Sequence, residues 1–148
     1  MIGLARPSDA AELLALYQHL VSEDPVLDVA SAQERLTQLA LYPGSGVFVL
    51  RSGGAIVASA TLIVIPNLTR QGRPYALIEN VVTHADHRRQ GHGAAVMQAA
   101  INAAWQAGCY KILLMTGSRD PATHRFYEGL GFDRGKTGYR LRHPDHAR

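Results

Sequence analysis

The chain has 148 residues, of which 47% are hydrophobic and 18% charged, and its formal net charge is +3. This length predicts one domain over residues 1–148, and the composition excludes an intrinsically disordered protein. The longest apolar run, Ala55 to Ile65, is too short to cross a bilayer, so we expect no membrane association.

The first third of the sequence predicts a short strand followed by two helices. The strand is Ile2 to Ala5, and a helix then opens at Pro7-Ser8-Asp9, capped by Ser8 or Asp9. The apolar side of this helix is formed by Leu13, Leu16, Tyr17 and Leu20. A second helix is predicted from Ser31, as N-cap, to about Leu41, with an inward side formed by Leu36, Leu39 and Ala40. The loop between these helices could border a substrate site.

The rest of the sequence predicts strands and two further helices. Gly46 to Arg51 and Ala55 to Ile65 form a hairpin across Ser52-Gly53-Gly54. The later elements are a strand at Tyr75 to Thr83, a helix at Gly93 to Ala107, a strand at Lys111 to Thr116, a short helix that Asp120 caps and Gly131 ends, and late strand residues at Phe132 and Gly138 to Leu141. The order β-α-α-β-β-β-α-β-α-β predicts a mixed α/β sheet with helices on its faces.

The single cysteine and the start of the sequence bear on the compartment. One cysteine, Cys109, excludes an internal disulfide and favours a reducing environment. The first residues, MIGLARPSDAAELL, lack the basic-then-apolar order of a secretory signal. We therefore expect a cytoplasmic protein, with Cys109 as a small buried residue and not a nucleophile.

Charge is distributed unevenly along the chain. Residues 1–87 hold five basic and eight acidic residues, whereas residues 88–148 hold ten basic and four acidic ones. This asymmetry favours an anionic ligand held by the second half, although a surface without a charged partner would show it too. None of the usual nucleic-acid-binding motifs occurs, so we expect no nucleic-acid partner.

The basic part begins with a glycine-bearing turn, His87-Arg88-Arg89-Gln90-Gly91-His92-Gly93-Ala94, that opens the predicted helix. The first N–H groups of a helix have no intrahelical acceptor, and the helix dipole adds positive charge at the same end. Gly91 and Gly93 let a ligand approach the backbone closely, because no Cβ stands in the way. The turn therefore predicts a phosphate site, with N–H groups around Arg89 to Ala94 as donors.

Two segments resemble GNAT-superfamily N-acetyltransferases. Arg88-x-x-Gly91-x-Gly93, after a strand ending Val81-Val82-Thr83, is similar to the acetyl-coenzyme A signature of that family. His124 to Phe132, with the sequence HRFYEGLGF, is similar to the family's FYEKLGF-like segment and lies at the expected distance downstream. The resemblance implies a mostly antiparallel sheet with helices on both faces, acetyl-CoA as co-substrate, a small-molecule amine as acceptor and a tendency to form homodimers.

The resemblance also implies how acetyl-CoA is held. Pyrophosphate would bind to the turn formed by Arg88, Arg89, Gln90, Gly91, His92, Gly93 and Ala94. The edge of the strand at Val81, Val82 and Thr83 would pair with the pantetheine amides, with the Val81 N–H near the thioester carbonyl. In the family, the sheet opens between this strand and the one at Lys111 to Thr116 to admit the cofactor.

Two side chains are the candidate catalytic groups. The resemblance makes Tyr127 the group that protonates the leaving thiolate, although a tyrosine that only packs on the sheet is the alternative. Glu79 lies two residues before Val81, which predicts that it shares a strand face with Val81 and acts as base or orients the ammonium. A glutamate in a surface salt bridge is the alternative there. Asn80 would face the opposite side.

The seven histidines do not predict a metal site. His84, His87 and His92 straddle a loop, and no cysteine pair or HExxH pattern supports them as ligands. We therefore expect them to be exposed loop residues. His124 lies one turn before Tyr127 and is a candidate for auxiliary proton transfer.

The sequence does not identify the molecule that accepts the acetyl group. Ile78-Glu79-Asn80-Val81-Val82 and Gly108-Cys109-Tyr110-Lys111 resemble the glucosamine-6-phosphate N-acetyltransferase branch, except that Asn80 replaces that branch's aspartate. An anionic acceptor could be contacted by Arg70, Arg73 and Arg119. A different kind of function, a non-catalytic module that binds acyl-CoA and regulates, is the remaining alternative.

Overall fold

The computed structural model describes residues 1–146 and has the predicted mixed α/β architecture. The strands are β1 (Ile2–Leu4), β2 (Gly46–Ser52), β3 (Ala55–Ile65), β4 (Tyr75–Thr83) and β5 (Ile112–Leu113). The helices are α1 (Ala10–Tyr17), α2 (Val29–Ala40), α3 (His92–Gln106) and α4 (Pro121–Gly129). The five strands form one sheet in the order β1-β2-β3-β4-β5, in which β1 to β4 are antiparallel and β5 runs parallel to β4. The predicted fold class is confirmed.

The chain forms two compact units. The first, Met1–Leu114, contains the whole sheet with α1, α2 and α3, and the second starts at Met115 and contains α4. The single domain over residues 1–148 stays a prediction, and its last two residues lie outside the described part. No helix within residues 1–146 is long and apolar enough to span a membrane.

The predicted β2–β3 hairpin forms, but its turn has two residues, because Ser52 belongs to β2 and not to the turn as predicted. Gly53 and Gly54 have φ values of +58° and +87°, so both central residues adopt the left-handed conformation. This turn type matches the right-handed twist of the flanking strands, and glycine adopts it without a steric penalty. Ser52 pairs with Ala55 directly across the turn.

Both faces of the sheet in the first unit are covered by helices. On one face, Val47 and Val49 of β2 pack with Leu13 and Leu16 of α1 in one buried cluster, and α2 adds Leu36 and Leu39. On the other face, α3 contributes completely buried side chains, namely Val96, Met97, Ala100 and Ala104. Both predicted helix faces around Leu13 and Leu36 are thus confirmed in the core. Leu20 and Ala40, which were predicted to face inward, are exposed instead.

The helix starts differ from the predictions. A 3-10 turn, Pro7–Asp9, precedes α1, and Asp9 does not cap the helix. Its Oδ2 accepts the Arg6 N–H at 2.8 Å and its Oδ1 lies 2.6 Å from Arg51 Nη2, so its carboxylate is already engaged. The N-cap of α2 is Asp28, which accepts the Ser31 N–H at 2.9 Å. Ser31 is therefore the donor and not the cap.

The predicted strands near the end of the chain are mostly absent. β5 comprises two residues, whereas Lys111 to Thr116 was predicted, and α3 starts at His92, one residue early. Within the described residues, Phe132 and the stretch from Gly138 to Leu141 form no strand, so the order ends at α4. Tyr139 and Leu141 are 91% and 99% exposed, and a strand without a buried face has little to stabilise it.

Candidate active site

A β-bulge interrupts β4 where it faces β3. Between the pairs Thr61–Glu79 and Ser59–Val82, β3 advances by two residues and β4 by three. The bulge is at Asn80, whose φ of +52° lies in the left-handed region that asparagine tolerates better than most residues. It breaks the two-residue alternation on which the prediction for this strand depended.

The bulge corrects the predicted positions of Glu79 and Asn80. Residues opposite each other in an antiparallel pair share a face, so Glu79 shares its face with Val82, and not with Val81 as predicted. This is the face covered by α1, since Val82 packs in the cluster that contains Leu13. Asn80 also reaches this side of the sheet, where it borders a cavity together with Tyr17.

The same bulge sets the direction of the Val81 N–H group. The Ala76 N–H donates to the Lys111 carbonyl at 3.0 Å, towards β5, whereas the His84 N–H donates to the Val57 carbonyl at 2.8 Å, towards β3. Regular alternation would point both even-numbered residues the same way. Because His84 points to β3, the N–H groups of Val81 and Thr83 point to the opposite edge of β4.

That edge of β4 is open over most of its length. β5 pairs with β4 only at Ala76 and Leu77. From Ile78 to Thr83, no other strand of residues 1–146 pairs with this side of β4. An extended ligand could therefore add to the strand here and accept hydrogen bonds from its N–H groups.

The glycine-bearing turn leads from β4 into α3. The first intrahelical hydrogen bond of α3 runs from the Ala95 N–H to the Gly91 carbonyl at 3.0 Å. Within the described chain, the N–H groups from Arg89 to Ala94 donate to no protein acceptor. Arg89 and Gly91 have φ values of +60° and +80°, which turn the chain sharply into the helix. The turn thus presents a run of free donors at a helix N-terminus.

Two side chains of this turn donate hydrogen bonds to preceding backbone carbonyl groups. Arg88 Nε donates to the Thr83 carbonyl at 3.3 Å, and Gln90 Nε2 donates to the Asp86 carbonyl at 3.4 Å. The Asp86 carboxylate lies 4.0 Å from His84 Nδ1 and pairs with no arginine in the described chain. These contacts connect the turn to the end of β4, so that the donors of both segments keep a fixed relation.

The histidines near the turn form a row of rings. The ring centroids of His19 and His84 are 4.0 Å apart, those of His84 and His87 are 5.4 Å apart, and those of His87 and His92 are 6.1 Å apart. All four are half-buried, whereas His84, His87 and His92 were predicted to be exposed loop residues. In residues 1–146, no group of three or more His, Cys, Asp or Glu side chains is arranged to hold a metal ion.

Tyr127 lies on α4 of the second unit between two aromatic rings. Its ring contacts Phe126 and Phe132 edge-on, with centroids 5.1 Å and 6.2 Å away. Burial raises the pKa of the Tyr127 hydroxyl above its ordinary value of 10.0. His124 Nε2 lies 2.9 Å from the Ser118 carbonyl, which can only accept, so this nitrogen carries the proton. Because burial raises the pKa of its hydroxyl, Tyr127 keeps its proton across the neutral range.

Cys109 is a buried core residue, and Arg70 and Lys111 lie against aromatic rings. Cys109 is buried, and burial raises the pKa of its thiol, as expected for a small apolar residue. The Arg70 guanidinium lies 5.5 Å from the centre of the Tyr110 ring, and Lys111 Nζ lies 5.5 Å from the Tyr75 ring. These basic groups thus gather at the start of β4, at the opposite end from Val81.

A cavity of about 220 Å³ lies between the C-terminal end of α1, the connector from α1 to α2, and Asn80. The sequence indicated only that this connector could border a substrate site. The participation of Asn80 was missed, because strict alternation along β4 placed its side chain on the other face. The local sequence signal of such a bulge is an asparagine inside a strand pattern, because asparagine tolerates left-handed backbone angles better than most residues.

Comparison with known proteins shows similarity over most of the chain. A model of the acetyltransferase (GNAT) family matches residues 13–132. The chain is 33% identical over 125 residues to a glucosamine 6-phosphate N-acetyltransferase from Trypanosoma brucei brucei, which covers 84% of this chain and 83% of that protein. The structure of a proposed acetyltransferase from Agrobacterium tumefaciens str. C58 has a TM-score of 0.90 and 45% identity, over 97% of this chain and 99% of that one. A transcriptional regulator from Bacillus halodurans C-125 has a TM-score of 0.86 and 27% identity, over 97% and 99%.

Proposed function

The chain belongs to the GNAT family of acetyltransferases, and on that premise we propose that it transfers the acetyl group of acetyl-CoA to a primary amine by direct attack in a ternary complex. The observation that carries this proposal is the bulge at Asn80. It turns the Val81 N–H to the open edge of β4, where a donor can stabilise negative charge on a carbonyl oxygen.

The first unit supplies the groups that would hold acetyl-CoA. The free N–H groups from Arg89 to Ala94 fit the pyrophosphate oxygens, and the charges of Arg88 and Arg89 add attraction. The edge from Val81 to Thr83 fits the amides of the pantetheine arm. When bound, the co-substrate supplies an activated acetyl thioester. Backbone groups would make most of these contacts, while the Gln90 side chain holds the turn to the Asp86 carbonyl.

Two side chains would handle the protons of the transfer. The amine nitrogen forms a bond to the acetyl carbon as the C–S bond breaks, and the amine must lose one proton while the thiolate gains one. Glu79, exposed on β4, is the proposed acceptor of the amine proton, directly or through water, or the group that orients the ammonium. Tyr127, which burial keeps protonated, is the proposed donor to the thiolate.

Glucosamine 6-phosphate is the second candidate acceptor. The relative from Trypanosoma brucei brucei carries this substrate in its name, and it matches most of the chain. Two observations argue against this acceptor. Asn80 stands where the glucosamine-6-phosphate N-acetyltransferase branch has an aspartate. Lys111, which could bind a phosphate, lies over the ring of Tyr75, five residues before Asn80 in the sequence. A non-catalytic, acyl-CoA-binding role is the alternative of a different class.

An acceptor panel tests the proposed function. The purified chain would be mixed with acetyl-CoA and with alkyl and aralkyl amines, amino acids, peptides and glucosamine 6-phosphate, and release of free CoA would be measured. Calorimetry with CoA would be done on the same preparation. Turnover of any amine supports the proposal, whereas tight CoA binding without turnover of any acceptor would establish the non-catalytic alternative.

A further inference from the structure

We propose that Tyr17 and Thr61 are positioning residues for Glu79, in a row of hydrogen bonds that runs from the Tyr17 phenol through the Thr61 hydroxyl to the Glu79 carboxylate. The row holds the carboxylate at the bulge and leaves one of its oxygens free for the amine. This inference rests on the proposed function, in which Glu79 accepts the amine proton or orients the ammonium.

The register of the sheet brings Thr61 and Glu79 together. These two residues are paired directly across β3 and β4, and theirs is the last pair before the bulge at Asn80. Side chains of such a pair share a face, with Cβ atoms about 4.5–5.5 Å apart. Thr61 is buried, with 6% of its surface accessible, whereas Glu79 is exposed. A glutamate that turns its carboxylate back over the strand therefore reaches the Thr61 hydroxyl.

Tyr17 reaches the same face of β3 from α1. It packs against the apolar cluster that contains Val82, and it lines the cavity that Asn80 also borders. Burial raises the pKa of the Tyr17 phenol above 10.0, and the hydroxyl groups of Ser59 and Thr61 partly offset this increase. A hydroxyl lowers that pKa by donating to the phenolate, so both groups lie close to the phenol oxygen.

The two hydroxyl groups of β3 contrast with their surroundings. Ser59 and Thr61 are paired across the sheet with Val49 and Val47, both of which belong to the apolar cluster under α1. The Ser59 oxygen, although near the phenol, is completely buried and has no hydrogen-bond partner at ordinary bonding geometry within residues 1–146. An unpaired buried hydroxyl destabilises a fold, so packing alone would favour valine here. The polar strip beneath Tyr17 therefore indicates a role beyond core packing.

The chemistry of the three groups sets the direction of the hydrogen bonds. Burial keeps the Tyr17 phenol protonated at neutral pH, and a phenol is more acidic than an aliphatic hydroxyl, so Tyr17 donates to Thr61. The single hydroxyl proton of Thr61 is then directed to Glu79, because an ionised carboxylate can only accept. Glu79 takes part in no ion pair among residues 1–146, so no cation competes for its carboxylate. Contacts of this kind are commonly long before substrates bind and shorten afterwards.

Steady-state kinetics of single variants test the row. Transfer would be measured to each amine of the acceptor panel that the wild-type chain acetylates, beginning with 2-phenylethylamine and glucosamine 6-phosphate. Thr61→Val should lower kcat about five- to tenfold with the KM for acetyl-CoA unchanged, because the carboxylate is no longer held in place. Thr61→Ser keeps the hydroxyl and should stay within about twofold of the wild type, whereas Tyr17→Phe should lower kcat about two- to fivefold. Thr37→Val, at an exposed threonine of α2, is the matched control and should change neither constant.

Two further measurements separate an effect through Glu79 from an effect on the fold. In a Glu79→Gln background, Thr61→Val should lower kcat by less than about twofold, because the group that Thr61 positions is already lost. Carbon NMR of the tyrosine Cζ atoms, with Tyr17→Phe to assign the signal, follows the titration of Tyr17 without any acceptor. Thr61→Val should raise the pKa of Tyr17, because the hydroxyl that lowers it is removed, and Thr61→Ser should not.

The outcomes distinguish the inference from the proposed function. If Thr61→Val and Thr61→Ser slow the reaction equally, or if Thr61→Val slows Glu79→Gln as much as it slows the wild type, the inference is overturned while the acetyltransferase proposal stands. An identical titration of Tyr17 in the wild type and Thr61→Val would overturn it as well. If only the free energy of urea unfolding changes, the hydroxyls are structural and the inference falls. If CoA binds but no amine of the panel is acetylated, the proposed function fails and the positioning role fails with it.

Discussion

Glu79 and Val82 lie on the same face of β4, although their spacing of three residues would place them on opposite faces of a regular strand. The bulge at Asn80 brings this about and, in the same turn of the backbone, directs the Val81 N–H away from β3. One extra residue thus arranges both the candidate base and the candidate oxyanion donor. A point substitution at the bulge should therefore affect the reaction more than it affects the fold.

Asn80→Val should lower the free energy of unfolding by about 1–2 kcal/mol, because a β-branched residue is strained at a positive φ. It should also lower kcat at least tenfold by shifting Val81, whereas Asn80→Gly should keep most of the activity. Urea unfolding and acetyl-transfer kinetics measure the two effects. Gln71→Val is the matched control, since Gln71 is exposed with a φ of +60° and lies away from the site. Equal losses of kcat in Asn80→Val and Gln71→Val would contradict the role of the bulge.

Glu79→Gln should lower kcat/KM about 100-fold at neutral pH, the effect typical of losing a general base. An alkylammonium group has a pKa of about 10.4, so the deficit should shrink as the pH approaches that value and the amine arrives deprotonated. The measurement is kcat/KM against pH for both proteins. Glu34→Gln, at an exposed position on α2, should leave the profile unchanged. A raised KM with an intact kcat would show that Glu79 orients the ammonium instead.

Gly91→Ala should lower the affinity for CoA about tenfold, because the new Cβ stands where the phosphate approaches a backbone with a φ of +80°. Its cost in folding free energy is expected to be about 1–2 kcal/mol. Gly53→Ala has the same conformational cost, at a φ of +58° in the β2–β3 turn, and neither site has other atoms within 4 Å of the added Cβ. Calorimetry with CoA separates them. Unchanged affinity in Gly91→Ala would argue against the turn as the pyrophosphate site.

Tyr127→Phe should lower kcat about 10- to 100-fold with no change in CoA affinity, since the phenol contributes to proton transfer and not to binding. Burial raises the pKa of this hydroxyl above 10.0, so the acid form is complete at neutral pH and is lost only as the pH rises past that value. The alkaline limb of the wild-type kcat profile should therefore lie above pH 10. Tyr139→Phe, at a fully exposed tyrosine of the same unit, is the control. Normal turnover by Tyr127→Phe would remove the general acid from the scheme.

Local signals predicted the framework of the first unit well. The bounds of β4 were predicted correctly and the hairpin turn at Gly53-Gly54 was predicted to within one residue, because apolar runs and paired glycines specify such elements locally. The cap of α2 was misassigned, because Asp28 and Ser31 are equally good caps by residue type and only the backbone angles decide between them. The strand predicted from Gly138 to Leu141 does not form, because Tyr139 and Leu141 pack against no other part of the described chain.

The candidate site was predictable to the extent that it depends on contiguous residues. The turn from Arg88 to Ala94 combines its glycines, its charge and its helix start in one segment, so its free donors followed from the sequence. The facing of Glu79 depends on the register between β3 and β4, which is a property of two distant segments. The cavity likewise needs the α1–α2 connector and Asn80 to meet, and no local pattern records that meeting.

The open side of β4 has a consequence for handling the protein. Backbone groups that no neighbouring strand pairs are a template for another chain, and the stretch from Ile78 to Val82 presents such a template among residues 1–146. If the pantetheine arm occupies this edge, the ligand shields it from intermolecular strand pairing. Ligand-free samples should then aggregate faster on storage and concentration than samples kept saturated with CoA, so the coenzyme would act as a stabiliser of the colloidal state as well as a reactant.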